Sequence, residues 1–343
     1  MNTPNTASPS SAPALPRIAV LATGGTIAGA APDAASTAGY QAGALGVNFL
    51  VDAVPALASV ARIDAEQVAS IDSKDLALPL WNTLAARIDA LMADPAIDGI
   101  VITHGTDTLE ESAYFLNLTA KTDKPVVLVG SMRPSTAVSA DGPLNLYNGV
   151  AVAADPRAQG RGVLVVMNDH IHAAHSLTKT STTDVQTFMS PLRGLVGVVA
   201  YGKADFYNTP PWKHTSQSEF DVTGVTKLPR VDIIYADADM SPDPIDDSVK
   251  SGAKGIVIAG VGNGNMNKAA VDACARAVKQ GVVVVRSSRV ATGLVGRNVE
   301  LNDDELGFIA SDELNPQKSR ILLSLALLKQ RSPSDIQQLY MTY

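Results

Sequence analysis

Leu21-Ala22-Thr23-Gly24-Gly25-Thr26-Ile27-Ala28-Gly29 follows the apolar run Ile18–Leu21, and Ile102-Thr103-His104-Gly105-Thr106-Asp107-Thr108 closes a second apolar run, Gly99–Thr103. Each is a turn of small residues that carries a threonine hydroxyl just past the end of a predicted buried strand. In open α/β sheets, ligands bind outside the carboxyl ends of the strands. One such turn is weak evidence, because a threonine after a tight turn also serves as a helix cap. Two turns suggest hydroxyls converging on one pocket.

Further along the chain, strands are predicted at Val126–Gly130, Val163–Met167, Val231–Tyr235, Ile256–Ala259 and Val282–Val285. Their apolar character is nearly continuous, which predicts strands covered on both faces. Helical spacing appears over Leu80–Met92, Asn267–Lys279 and Ser319–Lys329, and Thr108-Leu109-Glu110-Glu111 fits a capping box. The fold class is therefore α/β: a larger N-terminal, mainly parallel sheet domain with helices on both faces, plus a smaller C-terminal α/β domain. The expected division is a disordered arm over residues 1–16, a first domain over 17–208, a linker over 209–229 and a second domain over 230–343. Ala28–Gly46, rich in Gly and Ala, reads as a mobile lid directly after Thr26.

A chain of 343 residues is long enough for two cores. A formal charge of −7 argues against a nucleic-acid partner, which needs a basic stripe. No apolar stretch approaches the ~18 residues of a membrane span. Cys274 is the only cysteine, which excludes an intrachain disulfide and a multi-cysteine zinc site and reads as a buried structural thiol. The first sixteen residues do not have the pattern of a secretory signal, so the sequence as given reads as cytoplasmic, or periplasmic if a signal was removed.

The two threonine turns resemble the paired signature of the homotetrameric bacterial L-asparaginase/glutaminase family. So do Val129-Gly130-Ser131-Met132-Arg133-Pro134-Ser135, Ser139-Ala140-Asp141-Gly142-Pro143-Leu144-Asn145-Leu146, Leu177-Thr178-Lys179-Thr180, Gly260-Val261-Gly262-Asn263-Gly264-Asn265 and Leu314-Asn315-Pro316-Gln317, in order and spacing. The likeness covers nearly the whole chain after Pro16. It implies hydrolysis of a side-chain carboxamide, with L-asparagine as the main small-molecule substrate, weaker L-glutamine activity and no cofactor or metal. It also implies a homotetramer of intimate dimers.

By the same resemblance, Thr26 is the nucleophile, Tyr40 assists it, and Glu300 is the acidic partner of that tyrosine. Thr106, Asp107 and Lys179 match the family's relay. Ser73, Lys74, Ser131 and Asn265 match substrate-side positions, with Asn265 and Glu300 supplied by a neighbouring subunit. Read without the resemblance, Tyr40 is an exposed loop aromatic, Glu300 a surface carboxylate, and Asp107–Lys179 an ordinary ion pair. A lysine amine accepts a proton at neutral pH only when desolvation removes its charge, and a neighbouring carboxylate does the opposite. Asp107 is therefore expected to be occupied elsewhere, on the substrate's α-amine.

Two departures stand out. Lys74 occupies a position where the family usually carries Gln or Glu, and an ammonium facing the substrate amine would repel it unless it turns away or pairs with Glu300 or Asp107. His170, His172 and His175 fall within six residues; a metal site there is conceivable, but a polar surface loop is the expectation. His104 reads as structural, since no Gly-x-Ser-x-Gly elbow is present. Two rival functions follow: a catalytically weakened amino-acid-binding protein of the same fold, and a metal-dependent amidohydrolase built on the histidines.

Overall fold

The computed structural model describes residues 14–343. The expected N-terminal arm lies, up to Pro13, outside the described residues.

Eight strands build the larger sheet: β1 (Arg17–Gly24), β2 (Arg62–Ile71), β3 (Gly99–Thr103), β4 (Val126–Val129), β5 (Val163–Met167) and β6 (His170–Ala173), then, after a small ribbon of β7 (Thr178–Lys179) and β8 (Phe188–Met189), β9 (Gly197–Ala200) and β10 (Lys203–Phe206). Their order is β10-β9-β6-β5-β4-β3-β1-β2. The neighbours from β2 through β5 pair in parallel, and β6, β9 and β10 close the far edge with antiparallel pairings. The order β2-β1-β3 means that the chain leaves β1 in one direction and returns on its other side. A crevice opens at such a reversal point, beyond the strand ends. The two threonine turns leave the sheet there, side by side.

Strand alternation sorts the core. Ala19, Leu21, Ile100 and Ile102 face α2 (Leu78–Met92) and α3 (Leu109–Thr119), while Ile18, Val20 and Val101 face α1 (Val47–Asp52) and α4 (Gly142–Ala153). β1, apolar on both faces, is buried nearly throughout, as its composition predicts. The apolar-run pattern does not reveal β2. Its sequence, RIDAEQVASI, mixes charges with apolar residues because it is an edge strand, half exposed along most of its length.

A smaller parallel sheet follows: β11 (Val231–Tyr235), β12 (Gly255–Gly260), β13 (Val283–Ser288) and β14 (Phe308–Ala310), in that order. α5 (Asp243–Lys250) and α6 (Lys268–Lys279) cover one face, with Cys274 buried in α6 and its thiol pushed up to about 12 by that burial. A one-turn α7 (Asp303–Leu306) precedes β14, and α8 (Pro316–Ala326) and α9 (Pro333–Tyr340) follow it. α8 packs on the second face of this sheet and also on α3, so one continuous apolar core runs from Leu21 and Phe115 to Val257 and Leu322.

Residues 209–229, the expected linker, join the two sheets and pack as they do so: Phe220 and Val222 are buried in that shared core, and His214 and Thr215 are also buried. The Thr108–Glu111 capping box does not form. Thr108 takes the N-cap position of α3, yet its hydroxyl donates to the Ser73 carbonyl at 2.8 Å, and Glu111 pairs with Arg320 of α8. Tertiary partners outcompete the local cap because each draws a second element onto α3.

Candidate active site

The two turns meet backbone to backbone. Gly24 and Gly25 have φ of 105° and 80°, a region closed to most side chains. A Cβ on Gly25 would lie 2.3 Å from the Gly105 backbone, and one on Gly24 would lie 2.4 Å from the Ile71 carbonyl. A Cβ on Gly105 would in turn strike Ser73 Oγ at 2.7 Å. Glycine is thus required for three chain segments to converge, and the Thr23 hydroxyl donates to the Thr103 carbonyl at 2.8 Å to join two of them.

This convergence floors a cleft of ≈ 530 Å³. Among the described residues its walls include Thr26, Tyr40, Thr106, Asp107 and Lys179, all singled out from sequence, together with Asp72, Met132 and Arg133. Thr26 is buried at the start of a single 3₁₀ turn whose N-cap is Gly25, so it is not acting as a cap. Its Oγ1 lies 2.6 Å from the Tyr40 hydroxyl. The loop between them is pinned: Ala30 and Gln41 bridge in antiparallel fashion, and Gly43 and Leu45 donate backwards to Gly25 and Ala28. Gly29 matters here, since a Cβ would lie 2.8 Å from the Tyr40 ring.

Thr106 and Lys179 form the opposite side. Lys179 Nζ donates to Thr106 Oγ1 at 3.1 Å and to Asp107 Oδ1 at 2.7 Å. The Lys179 side chain is 18% exposed, that of Asp107 60%. Asp107 is therefore paired with the lysine, the ion pair of the reading made without the family resemblance. β7, which carries Lys179, is anchored from α8: the buried Lys318 amine donates to the carbonyls of His175, at 2.8 Å, and Leu177. Burial draws the Lys318 ammonium down to about 8.

Of the two sequence alternatives for Lys74, the structure fits the one in which it turns away. It pairs with Asp72 at 2.6 Å, with neither Glu300 nor Asp107, and it is not among the residues lining the cleft. The bond from Lys74 holds the Asp72 carboxyl below its usual range. Ser73 is buried beneath Gly105, and the Ser131 hydroxyl is spent on the Arg133 carbonyl at 2.7 Å. Asn265 and Glu300 belong to loops of the smaller sheet and do not line this cleft within the chain.

The histidines do not form a surface loop. His170 and His172 lie in β6, where antiparallel pairing beside β5 buries His172; its Nδ1 bonds to Ser190 Oγ at 2.9 Å and burial lowers it to about 3. His175 stacks on Trp212 at 3.5 Å, and burial lowers it too. No cluster of three or more His, Cys, Asp or Glu among the described residues is arranged to hold a metal. His104, structural as expected, is buried with Nδ1 2.7 Å from the Gly105 carbonyl and lowered to about 4.

With this geometry the chain matches two family models, "Asparaginase, N-terminal" over residues 17–212 and "Glutaminase/Asparaginase C-terminal domain" over residues 230–340. It belongs to the asparaginase family. It is 52% identical over 330 residues to "L-asparaginase 2" of Escherichia coli, covering 96% of this chain and 94% of that one. It is 51% identical over 326 residues to "Probable L-asparaginase periplasmic" of Haemophilus influenzae, covering 95% and 93%. A crystal structure of the "Probable Cytoplasmic L-asparaginase" of Campylobacter jejuni superposes with a TM-score of 0.92 at 48% identity, covering 96% of this chain and 100% of that one. The Haemophilus influenzae relative is named periplasmic and the Campylobacter jejuni one cytoplasmic. No helix among the described residues is long and apolar enough to cross a membrane.

Proposed function

We propose that this chain hydrolyses L-asparagine to L-aspartate and ammonia, without a cofactor, through an ester on Thr26, with L-glutamine as a weaker substrate. The observation that carries the reading is the 2.6 Å contact between Thr26 Oγ1 and the Tyr40 hydroxyl, in the cleft that also holds Thr106 and Lys179. A threonine hydroxyl is a poor nucleophile until a neighbour takes its proton, and Tyr40 is the group in reach.

Attack on the side-chain amide carbon forms the Thr26 oxygen–carbon bond. As the carbon–nitrogen bond breaks, the proton passes to the departing nitrogen, which leaves as ammonia. Water then splits the ester, restoring the Thr26 hydroxyl and releasing the new carboxylate. Asp107 receives the substrate's α-ammonium in this reading. That ammonium competes with Lys179 for the same carboxylate, so substrate binding frees the lysine to act through Thr106. The pairing of Lys74 with Asp72 supports the reading, because it turns an ammonium away from that pocket.

Asn265 and Glu300 complete the cleft from a neighbouring copy in a homotetramer. Their position outside the cleft of their own chain supports this assignment. The family description that names both glutaminase and asparaginase supports the second substrate. The test is ammonia release from L-asparagine, L-glutamine and their D-forms, assayed in parallel. L-asparagine should be the best substrate, and Thr26→Ala should lower kcat by at least ~10²–10³, the scale of losing one preorganised stabilising group. Turnover that survives Thr26→Ala nearly intact overturns the assignment.

A further inference from the structure

Among the described residues, Arg286 and Asp303 form the one ion pair whose two side chains are both fully buried. Arg286 projects from β13, Asp303 opens α7, and their bonds are bidentate: Nε to Oδ1 at 2.6 Å and Nη2 to Oδ2 at 2.7 Å. The same guanidinium reaches two loops. It donates to the carbonyls of Asn263 and Gly264 at 3.0 and 3.4 Å, and to the carbonyl of Gly296 at 3.0 Å. Asp303 Oδ2 accepts from the Asn298 amide at 2.8 Å, and Asn263 Oδ1 accepts from the Gly296 amide at 2.8 Å. A Cβ on Gly264 would sit 3.2 Å from the guanidinium, so glycine there lets the fork approach.

One loop ends in Asn265 and the other leads into Glu300. We propose that Arg286, held by Asp303, is a positioning residue that locks these two loops in one register, so that a chain presents Asn265 and Glu300 together to the cleft of its neighbour. The inference rests on the shared-site reading given above. Arg286 touches no reacting atom. It acts by fixing the backbone on either side of the two donated side chains, and a planar fork does this where a lysine point charge does not.

The test is subunit complementation. Arg286→Lys alone should lower kcat/KM by roughly 10²-fold, the scale of a misplacement of about 1 Å at a site. Co-expression with Thr26→Ala chains should then produce mixed assemblies more active than either pure variant. The cleft of the Arg286→Lys chain keeps its Thr26 and receives intact loops from the Thr26→Ala chain. A global loss of stability would not be rescued in this way. Asn263→Ala, which removes only the acceptor that ties the two loops to each other, carries the same prediction if Arg286→Lys fails to fold. Glu300→Gln mixed with Thr26→Ala is the control. Rescue of Glu300→Gln without rescue of the loop variants overturns the positioning role and leaves the shared site standing; rescue of none of them overturns both.

Discussion

The turns that carry Thr26 and Thr106 and the loops that carry Asn265 and Glu300 occupy the same place in the two sheets, beyond the carboxyl ends of parallel strands, yet they are held by opposite means. At the larger sheet, Gly24, Gly25 and Gly105 let backbone lie on backbone, with no ionised group in the contact. At the smaller sheet, a buried guanidinium and carboxylate gather the loops through carbonyls and amides. The first device tolerates no added atom. The second tolerates no lost charge. Under the proposed function, a cleft floor that holds a nucleophile to a fraction of an ångström suits the first, and a segment offered to a neighbouring copy suits the second.

The largest effect should come from breaking the charged device. Asp303→Asn leaves Arg286 buried without its carboxylate and should cost about 3–5 kcal/mol, read as a lower midpoint in urea unfolding. Gly25→Ala, at the contact built on glycine, should cost roughly 2–4 kcal/mol for a strained φ and overpacking. It should also nearly abolish turnover, because the turn must shift away from Gly105.

Acid should separate the two regions without mutation. All five histidines precede residue 215, and His104 sits in the Thr106 turn itself. In the folded chain burial keeps His104 neutral down to about 4, and His172 down to about 3, against an ordinary value of 6.5. As pH falls through 6.5 the unfolded chain takes up protons that the folded chain refuses. Stability is therefore full above that pH and declines below it, by about 3 kcal/mol from His104 alone near pH 4. Amide exchange at pH 4.5 should accelerate around β1 and β3 before it does around β12 and β13.

Smaller effects sharpen the site. Gly29→Ala should push the Tyr40 ring off Thr26 and lower kcat about 10-fold, with little change in KM, since in the proposed reaction the displaced group assists chemistry and not binding. Lys74→Gln should change KM for L-asparagine by less than about 2-fold, because Asp72 already holds that ammonium away. Asp72→Asn, which releases Lys74, should raise KM more than Lys74→Gln does.

Much of the larger region was legible in the chain. Continuous apolar runs gave β1, β3, β4 and β5, and two threonines beyond their ends, with the family likeness, pointed to the cleft. What stayed hidden had physical reasons. β2 carries the mixed polarity of an edge strand. β6 was masked by histidines, polar by composition but desolvated by pairing with β5. The buried pair of Arg286 and Asp303 has no local signal, since residues 17 positions apart meet only once β13 and α7 are packed. Lys74 and Asp72 are two residues apart, and their pairing reflects a turn geometry that spacing does not encode.

The central claim is that the Thr26 hydroxyl carries the acyl group during turnover. Rapid acid quenching of the protein while it consumes L-asparagine, followed by peptide mass mapping, reads this directly. An aspartyl ester on Thr26, absent from Thr26→Ala, is the expected result; an ester on any other residue, in a preparation that still releases ammonia, contradicts the account.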